Sequence, residues 1–301
     1  MKLLSVCIPV YNEENNVLNT YETIKKLLDE KLINLDYEII FADNHSIDGT
    51  ESIIEKICSK DKKVKYIRYN KNIGYDRSIL QAYVNSSGDA VVSIDCDLQD
   101  SPELILNFVE KWKEGYDLVY GVRKKRLEGG MFTFFRRIFY TIINYFSQDK
   151  YPKDVGDFKL IDKSIVSILR NINEPYPYVR GLVYSNSNKS FGIDYNRNKR
   201  EHGESKYGFF SALRYALNAI LENSYFFNAL FRYFSLFVLF LSLSVFLFSL
   251  ISGSSNKLLS FFIFVLSFGL LILSIILEYI TRIYFFLKKK NIFSYEKKLN
   301  L

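Results

Sequence analysis

The chain has 301 residues, a formal net charge of +7 and 49% hydrophobic residues, with 26 Phe and 23 Tyr against one Trp. Three cysteines (Cys7, Cys58, Cys96) without metal-ligand spacing and two histidines (His45, His202) exclude a zinc site and fit a reducing compartment. No helix-turn-helix, zinc or RNA-binding pattern occurs, so nucleic acid is not the expected partner of the positive charge. Lys and Arg instead cluster beside apolar segments, which suits anionic lipids and phosphate groups, with an ordinary solvated surface as the alternative.

Met1-Lys2 leads directly into the apolar run Leu3–Val10, so no secretory signal peptide is expected. That run ends at Tyr11-Asn12-Glu13-Glu14, and Val17–Leu28 then has helical spacing. Strand-like Tyr37–Asp43, a helix near Gly49–Lys60, strand Val64–Tyr69 and a helix near Ser78–Ser86 follow. Strand Ala90–Asp95, a helix near Glu103–Lys113 and strand Leu118–Gly121 continue the alternation. Short apolar runs alternating with helices predict an α/β fold, its parallel sheet covered on both faces. Ligands of such sheets bind beyond the carboxyl ends of the strands. Asn12, Glu13, Asp43, Asp95 and Asp97 all fall there.

Between Gly130 and Ser147, seven Phe and Ile residues recur every three or four positions, with Arg136 and Arg137 among them. The pattern fits a core-facing helix or a helix lying in a membrane interface. Tyr207–Asn223 is a candidate for a second helix of this kind. Tyr233–Ile251 (19 residues) and Leu258–Leu277 (20 residues) carry no charge, and about 20 apolar residues suffice to span a bilayer. The short link Ser252–Lys257 makes them a hairpin with both ends on one side. Arg232, Arg282 and Lys288-Lys289-Lys290 flank that side, which places both ends and the preceding domain in the cytoplasm.

Asp95-Cys96-Asp97 ends a predicted strand, and two carboxylates there can hold a divalent cation that bridges a diphosphate. Asp-x-Asp alone is common in surface turns, but Asp95–Pro102 reads Asp-Cys-Asp-Leu-Gln-Asp-Ser-Pro. Other segments fall in a fixed order around it: Ile8-Pro9-Val10-Tyr11-Asn12-Glu13-Glu14, Asp43-Asn44-His45-Ser46-Ile47-Asp48-Gly49-Thr50, Asn72-Ile73-Gly74 and Val155-Gly156-Asp157-Phe158-Lys159-Leu160. Arg200-Glu201-His202-Gly203-Glu204-Ser205-Lys206-Tyr207 and Glu278-Tyr279-Ile280-Thr281-Arg282 complete the set. Across nearly its whole length the chain resembles family 2 glycosyltransferases of the polyprenyl-phosphate branch, the group of bactoprenol glucosyltransferases and dolichyl-phosphate mannose synthases. Asn44-His45 departs from that family's usual Asp-Gly, and Tyr75–Tyr83 lacks its small residues.

The resemblance implies a GT-A (Rossmann-like) nucleotide-sugar-binding domain over residues 1–206, with an amphipathic interfacial helix at about 130–147. A juxtamembrane helix (207–228), two transmembrane helices within 229–287 and a basic cytoplasmic tail (288–301) would follow. It further implies inverting transfer of a sugar, from UDP-glucose or a related UDP-sugar, to polyprenyl (undecaprenyl) phosphate, with Mg²⁺ or Mn²⁺, at the cytoplasmic membrane. Pro9, Tyr11, Glu13 and Asp43 would hold the nucleoside. Asp95, Asp97 and Gln99 would hold metal and diphosphate. Arg123, Arg126, Arg200, Ser205 and Lys206 would hold the acceptor phosphate, since Arg grips phosphate bidentately and Lys serves as a point charge. Asp97 and Asp157 are the catalytic candidates. A lipid phosphate has its second ionisation near pH 6 and is already a charged nucleophile, so Asp157 is expected to orient the acceptor or take a residual proton. A homo-oligomer is left open. The rivals are a processive polysaccharide synthase, disfavoured because no Gln-x-x-Arg-Trp occurs, and a catalytically inactive membrane scaffold. Gly203–Tyr207 is also similar to formyl-aminoarabinose transferases.

Overall fold

The computed structural model of the chain describes residues 2–123, 155–172, 177–197, 226–253, 255–287 and 294–301. The expected helix at about 130–147, most of the expected 207–228 helix and residues 288–293 of the expected tail lie outside them.

Among the described residues, eight strands form one sheet: β1 Leu3–Val10, β2 Asp36–Asp43, β3 Val64–Tyr69, β4 Ala90–Ser93, β5 Leu118–Arg123, β6 Val155–Asp162, β7 Ser190–Tyr195 and β8 Tyr295–Leu299. Their spatial order is β7-β5-β6-β4-β1-β2-β3-β8. β4, β1, β2 and β3 are mutually parallel, as the helix–strand alternation predicts. The sheet as a whole is mixed rather than parallel, because β6 runs antiparallel to β4 and β5, and β8 antiparallel to β3.

Successive side chains of a strand point to opposite faces, and β1 shows it. Leu4, Val6, Ile8 and Val10 enter one core with helices α1 (Val17–Lys31), α2 (Thr50–Lys60) and α4 (Leu104–Lys113). Cys7 enters the other with α3 (Tyr75–Val84), α5 (Lys163–Leu169) and α6 (Val179–Ser185). Each helix presents an apolar stripe at three- to four-residue spacing, for example Ile105, Phe108, Val109 and Trp112 on α4. The two layers leave the strand ends as the open rim of the sheet.

The chain divides into two compact units, and the second holds two long helices, α7 (Phe226–Ile251) and α8 (Lys257–Leu287). Asn228–Ile251 and Lys257–Tyr284 have mean hydropathies of 2.6 and 2.8 and are long and apolar enough to cross a membrane. Ser235, Ser242 and Ser249 on α7 recur every seven residues, as do Ser260, Ser267 and Ser274 on α8. All six are buried between the helices, with Ser242 Oγ 2.6 Å from Ser267 Oγ and Ser249 Oγ 2.7 Å from Ser260 Oγ. Small residues let apolar helices approach closely. Glu278 of α8 binds Arg232 of α7 and Arg282, each at 2.7 Å.

Candidate active site

Three loops at the carboxyl ends of β1, β2 and β4 build the site. The first two are laced together. The Asn12 amide donates to Ser46 Oγ (2.9 Å), and Asn12 Oδ1 accepts from the Ile47 amide (2.9 Å). The Glu13 amide donates to Thr50 Oγ1 (2.8 Å), and Glu14 Oε2 accepts from the Gly49 amide (2.8 Å). Asn12 and His45 hold positive φ angles of 52° and 67°, and Leu98 in the third loop holds 50°. Such non-glycine conformations store strain and concentrate at ligand sites. His45 stands where the resembled family has glycine, and the left-handed backbone explains that preference.

Asp43 is completely buried. Its Oδ1 accepts from the Ser46 amide (2.8 Å) and Ser46 Oγ (2.6 Å), and its Oδ2 from the Tyr66 hydroxyl (2.6 Å) and Arg68 Nη1 (2.8 Å). A carboxylate has about four lone-pair sites, so Asp43 organises the loop from within. Asn44 ties the same loop to the next turn, donating to Asn72 Oδ1 (2.9 Å) and accepting from the Ile73 amide (2.7 Å).

The third loop carries the acidic cluster. Asp95 accepts from the Tyr75 hydroxyl at 3.0 Å, and the Gln99 amide donates to Asp97 Oδ1 at 3.2 Å. Desolvation pushes the Asp95 carboxyl up to about 6, helped by the charges of Asp100, Asp97 and Asp157 and opposed by Arg197. Asp100 is buried and gathers cations and a hydroxyl: Arg123 Nη2 at 3.3 Å, Arg197 Nε at 3.1 Å and the Tyr195 hydroxyl at 2.5 Å. Arg197 Nη2 also reaches Asp95 Oδ2 at 3.5 Å. A side chain at Gly156 would place its Cβ 2.7 Å from Arg123 Nη2, so glycine there leaves room for the guanidinium.

Asp157, on β6, faces two cations. Arg180 Nη2 of α6 lies 2.8 Å from Oδ2, and Lys159 Nζ lies 3.3 Å from Oδ1. Desolvation would raise the Asp157 carboxyl, but Arg180 and Lys159 outweigh it and hold the group well below the usual carboxylate range. Burial pulls the Lys159 ammonium below its ordinary value, with Asp157 opposing.

Residues 5–170 match the sequence profile of Glycosyl transferase family 2. The chain belongs to that family. It is 34% identical over 310 residues to the uncharacterized glycosyltransferase YkcC of Bacillus subtilis (strain 168), covering 99% of this chain and 94% of the relative. It is 31% identical over 236 residues to the bactoprenol glucosyl transferase of Shigella phage SfX, covering 78% of this chain and 77% of the relative. Among solved structures, its fold matches the mannosyltransferase PcManGT from Pyrobaculum calidifontis, determined with GDP-Man and Mn²⁺. That match has a TM-score of 0.50 at 17% identity and covers 73% of this chain and 62% of the other. The chain is a glycosyltransferase with a GT-A-like α/β sheet.

On this family 2 scaffold, Pro9 lies near the end of β1 with Tyr11 and Glu13 on the loop that follows, Asp43 ends β2 beneath the second loop, and Asp95, Asp97 and Gln99 share the third. Glu13 Oε2 accepts from Asn16 Nδ2 at 2.7 Å. Arg123, expected at an acceptor phosphate, contacts Asp100 and the Tyr195 hydroxyl and is 14% exposed. Arg126, Arg200, Ser205 and Lys206 lie outside the described residues. Arg180, Arg197, Lys159 and Tyr75 are the site residues that the sequence reading missed.

The donor set of the third loop fits a hard divalent cation. Asp95 and Asp97 offer oxygen ligands only, and among the described residues no group of three or more His, Cys, Asp or Glu is arranged to enclose a metal. Two carboxylates with the remaining positions left to water and substrate phosphate is the usual arrangement for Mg²⁺ at phosphate-transfer sites, and oxygen ligands suit Mn²⁺ equally.

Proposed function

We propose that the chain transfers a sugar, with inversion, from a UDP-sugar such as UDP-glucose to polyprenyl phosphate at the cytoplasmic face of a membrane crossed by α7 and α8. The observation that carries this reading is the state of Asp157. A carboxylate held low by Arg180 and Lys159 is a weak base, which suits an acceptor that arrives already ionised. A phosphate monoester needs orientation and charge neutralisation more than deprotonation. The relatives named bactoprenol glucosyl transferases support the same acceptor class.

The first two loops receive the nucleoside, with Pro9, Tyr11 and Glu13 lining the entry and Asp43 fixing the loop below. Asp95, Asp97 and Gln99 would hold Mg²⁺ or Mn²⁺ and the diphosphate. A cation held there would supply positive charge to offset the charge developing on the departing nucleotide. Arg197, drawn between Asp95 and Asp100, adds a positive charge on that side. Asp157 with Arg180 and Lys159 orients the attacking phosphate, and Arg126, Arg200, Ser205 and Lys206 complete the acceptor side. The lipid phosphate oxygen attacks the anomeric carbon as the bond to the nucleotide diphosphate breaks.

The test is to incubate membranes containing the protein with undecaprenyl phosphate and a panel of labelled nucleotide sugars, then extract the lipid. Label in the lipid fraction from a UDP-sugar, dependent on a divalent cation, is the expected result. Label in a polymer, or in no acceptor, would overturn the proposal.

A further inference from the structure

Arg68 of β3 is 8% exposed and faces three carboxylates: Asp43 at 2.8 Å, Glu296 at 3.0 Å and Glu51 at 3.3 Å. Asp43 anchors the second loop, and Glu51 opens α2 directly after it. Glu296 comes from β8, 228 positions along the chain and beyond the two long helices. Its carboxylate also lies 3.4 Å from His45 Nδ1, whose ring meets the Tyr69 carbonyl at 3.2 Å.

The pairing of β8 with β3 is not a plain ladder. Arg68 pairs with Lys297 and Tyr69 with Tyr295, so Glu296 is the extra residue of a bulge. A bulge re-aims a side chain that regular pleating would send elsewhere. Here the re-aimed side chain is the one that reaches both Arg68 and His45. Neighbouring residues of the same segment brace the same loop and its helix. Lys297 Nζ binds Glu51 at 2.8 Å and also Glu55, and Asn300 Nδ2 donates to the carbonyls of Cys58 (3.0 Å) and Val64 (2.8 Å). Tyr295 contacts Gln81 of α3, and Asn85 directly after that helix, through its hydroxyl. A strand added only to close an edge needs backbone pairing. This one converges on the loop assigned above to the nucleoside.

We propose that β8 is part of the nucleotide-binding apparatus, with Glu296 acting through Arg68 and His45 as a positioning residue for the Asp43–Ser46 loop. The inference rests on the reading of that loop as the nucleoside site. Glu296 touches no reacting group, so it sets donor affinity and leaves the chemical step alone. Its side chain is 47% exposed, and exposed ion pairs add little to stability. Glu296→Gln therefore keeps the fold.

The experiment titrates UDP, with Mn²⁺ present, into the full-length protein in detergent by calorimetry, for the wild type, Glu296→Gln and Lys298→Ala. Donor KM and kcat are measured alongside, together with thermal midpoints. Glu296→Gln should weaken UDP binding and raise donor KM by up to about fivefold, the most that an exposed ion pair of this kind can pass on to the loop it braces, with kcat unchanged. Lys298→Ala, on the same strand but with its ammonium bound to Asn85 and lying over the Tyr295 ring rather than at the second loop, should match the wild type. Wild-type UDP binding reproduced by Glu296→Gln would overturn the inference while leaving the nucleoside site standing. A wild type that binds no UDP would overturn the nucleoside reading itself and this inference with it.

Discussion

Asp97 lies two residues beyond Asp95, in a turn whose Leu98 is held at positive φ. Asp97→Asn keeps the shape but removes a charge that would hold the cation, so divalent-dependent transfer should fall by about 10²-fold or more. A normal rate in that variant, or undiminished wild-type turnover in EDTA, would remove the metal assignment. Asp157 gives a pH prediction. Ordinary Asp side chains titrate near pH 4, and Arg180 and Lys159 hold this one lower. It is therefore ionised throughout pH 5–9, and its ion pairs stabilise the fold above about pH 4 and are lost as pH falls through its depressed folded value. Asp157→Asn should lower the rate without changing the shape of the kcat/KM profile over pH 5–9. Disappearance of an acidic limb in that variant would make Asp157 a general base. Asp95, Asp97 and Gln99 are legible in the sequence because they share one short motif. Arg180 and Arg197 are not, since a cation among 40 Lys and Arg reads as surface. Their partners lie 23 and 102 positions away. Asp43 is legible as important, but its saturation by Ser46, Tyr66 and Arg68 depends on β3 folding beside β2.

At the scale of elements, strands with continuous apolar runs and helices with apolar stripes are legible from pattern, and β3 falls at Val64–Tyr69 as predicted. β8 is not, because Tyr-Glu-Lys-Lys-Leu carries no apolar run and reads as a basic tail. It forms because an edge strand needs only one paired side, and charged residues are at home there. The two long helices are legible as apolar spans, but not the seam between them, which depends on serines seven apart. A seven-residue repeat winds helices into a left-handed pair. Ser242 and Ser267 face each other across it, whereas Ser244 is exposed. Ser242→Ala should cost only about 0.6 kcal/mol, the average for such interhelical bonds in membranes. Ser242→Leu overfills the seam and should cost about 1–3 kcal/mol, read as a lower midpoint of unfolding in SDS. Ser244→Leu should be silent. Equal tolerance of leucine at positions 242 and 244 would dismiss the seam.

For the whole molecule, the order of the units along the chain matters. The sheet unit resumes after the long helices, because Lys290–Leu301 belongs to it again. The segment Phe209–Lys289 is thus joined along the chain to the sheet unit both before and after it. Two deletions that look alike should then behave differently. Ending the chain after Gly208 removes the hairpin and β8 together. Replacing Phe209–Lys289 with a Gly/Ser linker of about 30 residues removes the hairpin but retains β8, and such a linker spans about 30 Å on average. The linker variant should be more soluble and bind UDP as the intact protein does, because the loops proposed to receive the nucleotide and the strand proposed to brace them are all present. The shorter chain exposes the edge of β3 and frees Arg68 from Glu296, and it should bind UDP about tenfold more weakly. Both variants should transfer sugar poorly to undecaprenyl phosphate in vesicles, since neither is held at the surface where that lipid resides. UDP binding lost in the linker variant would mean that the hairpin itself contributes to the nucleotide site. Equal UDP binding by the two deletions would mean that β8 serves the sheet edge and nothing else.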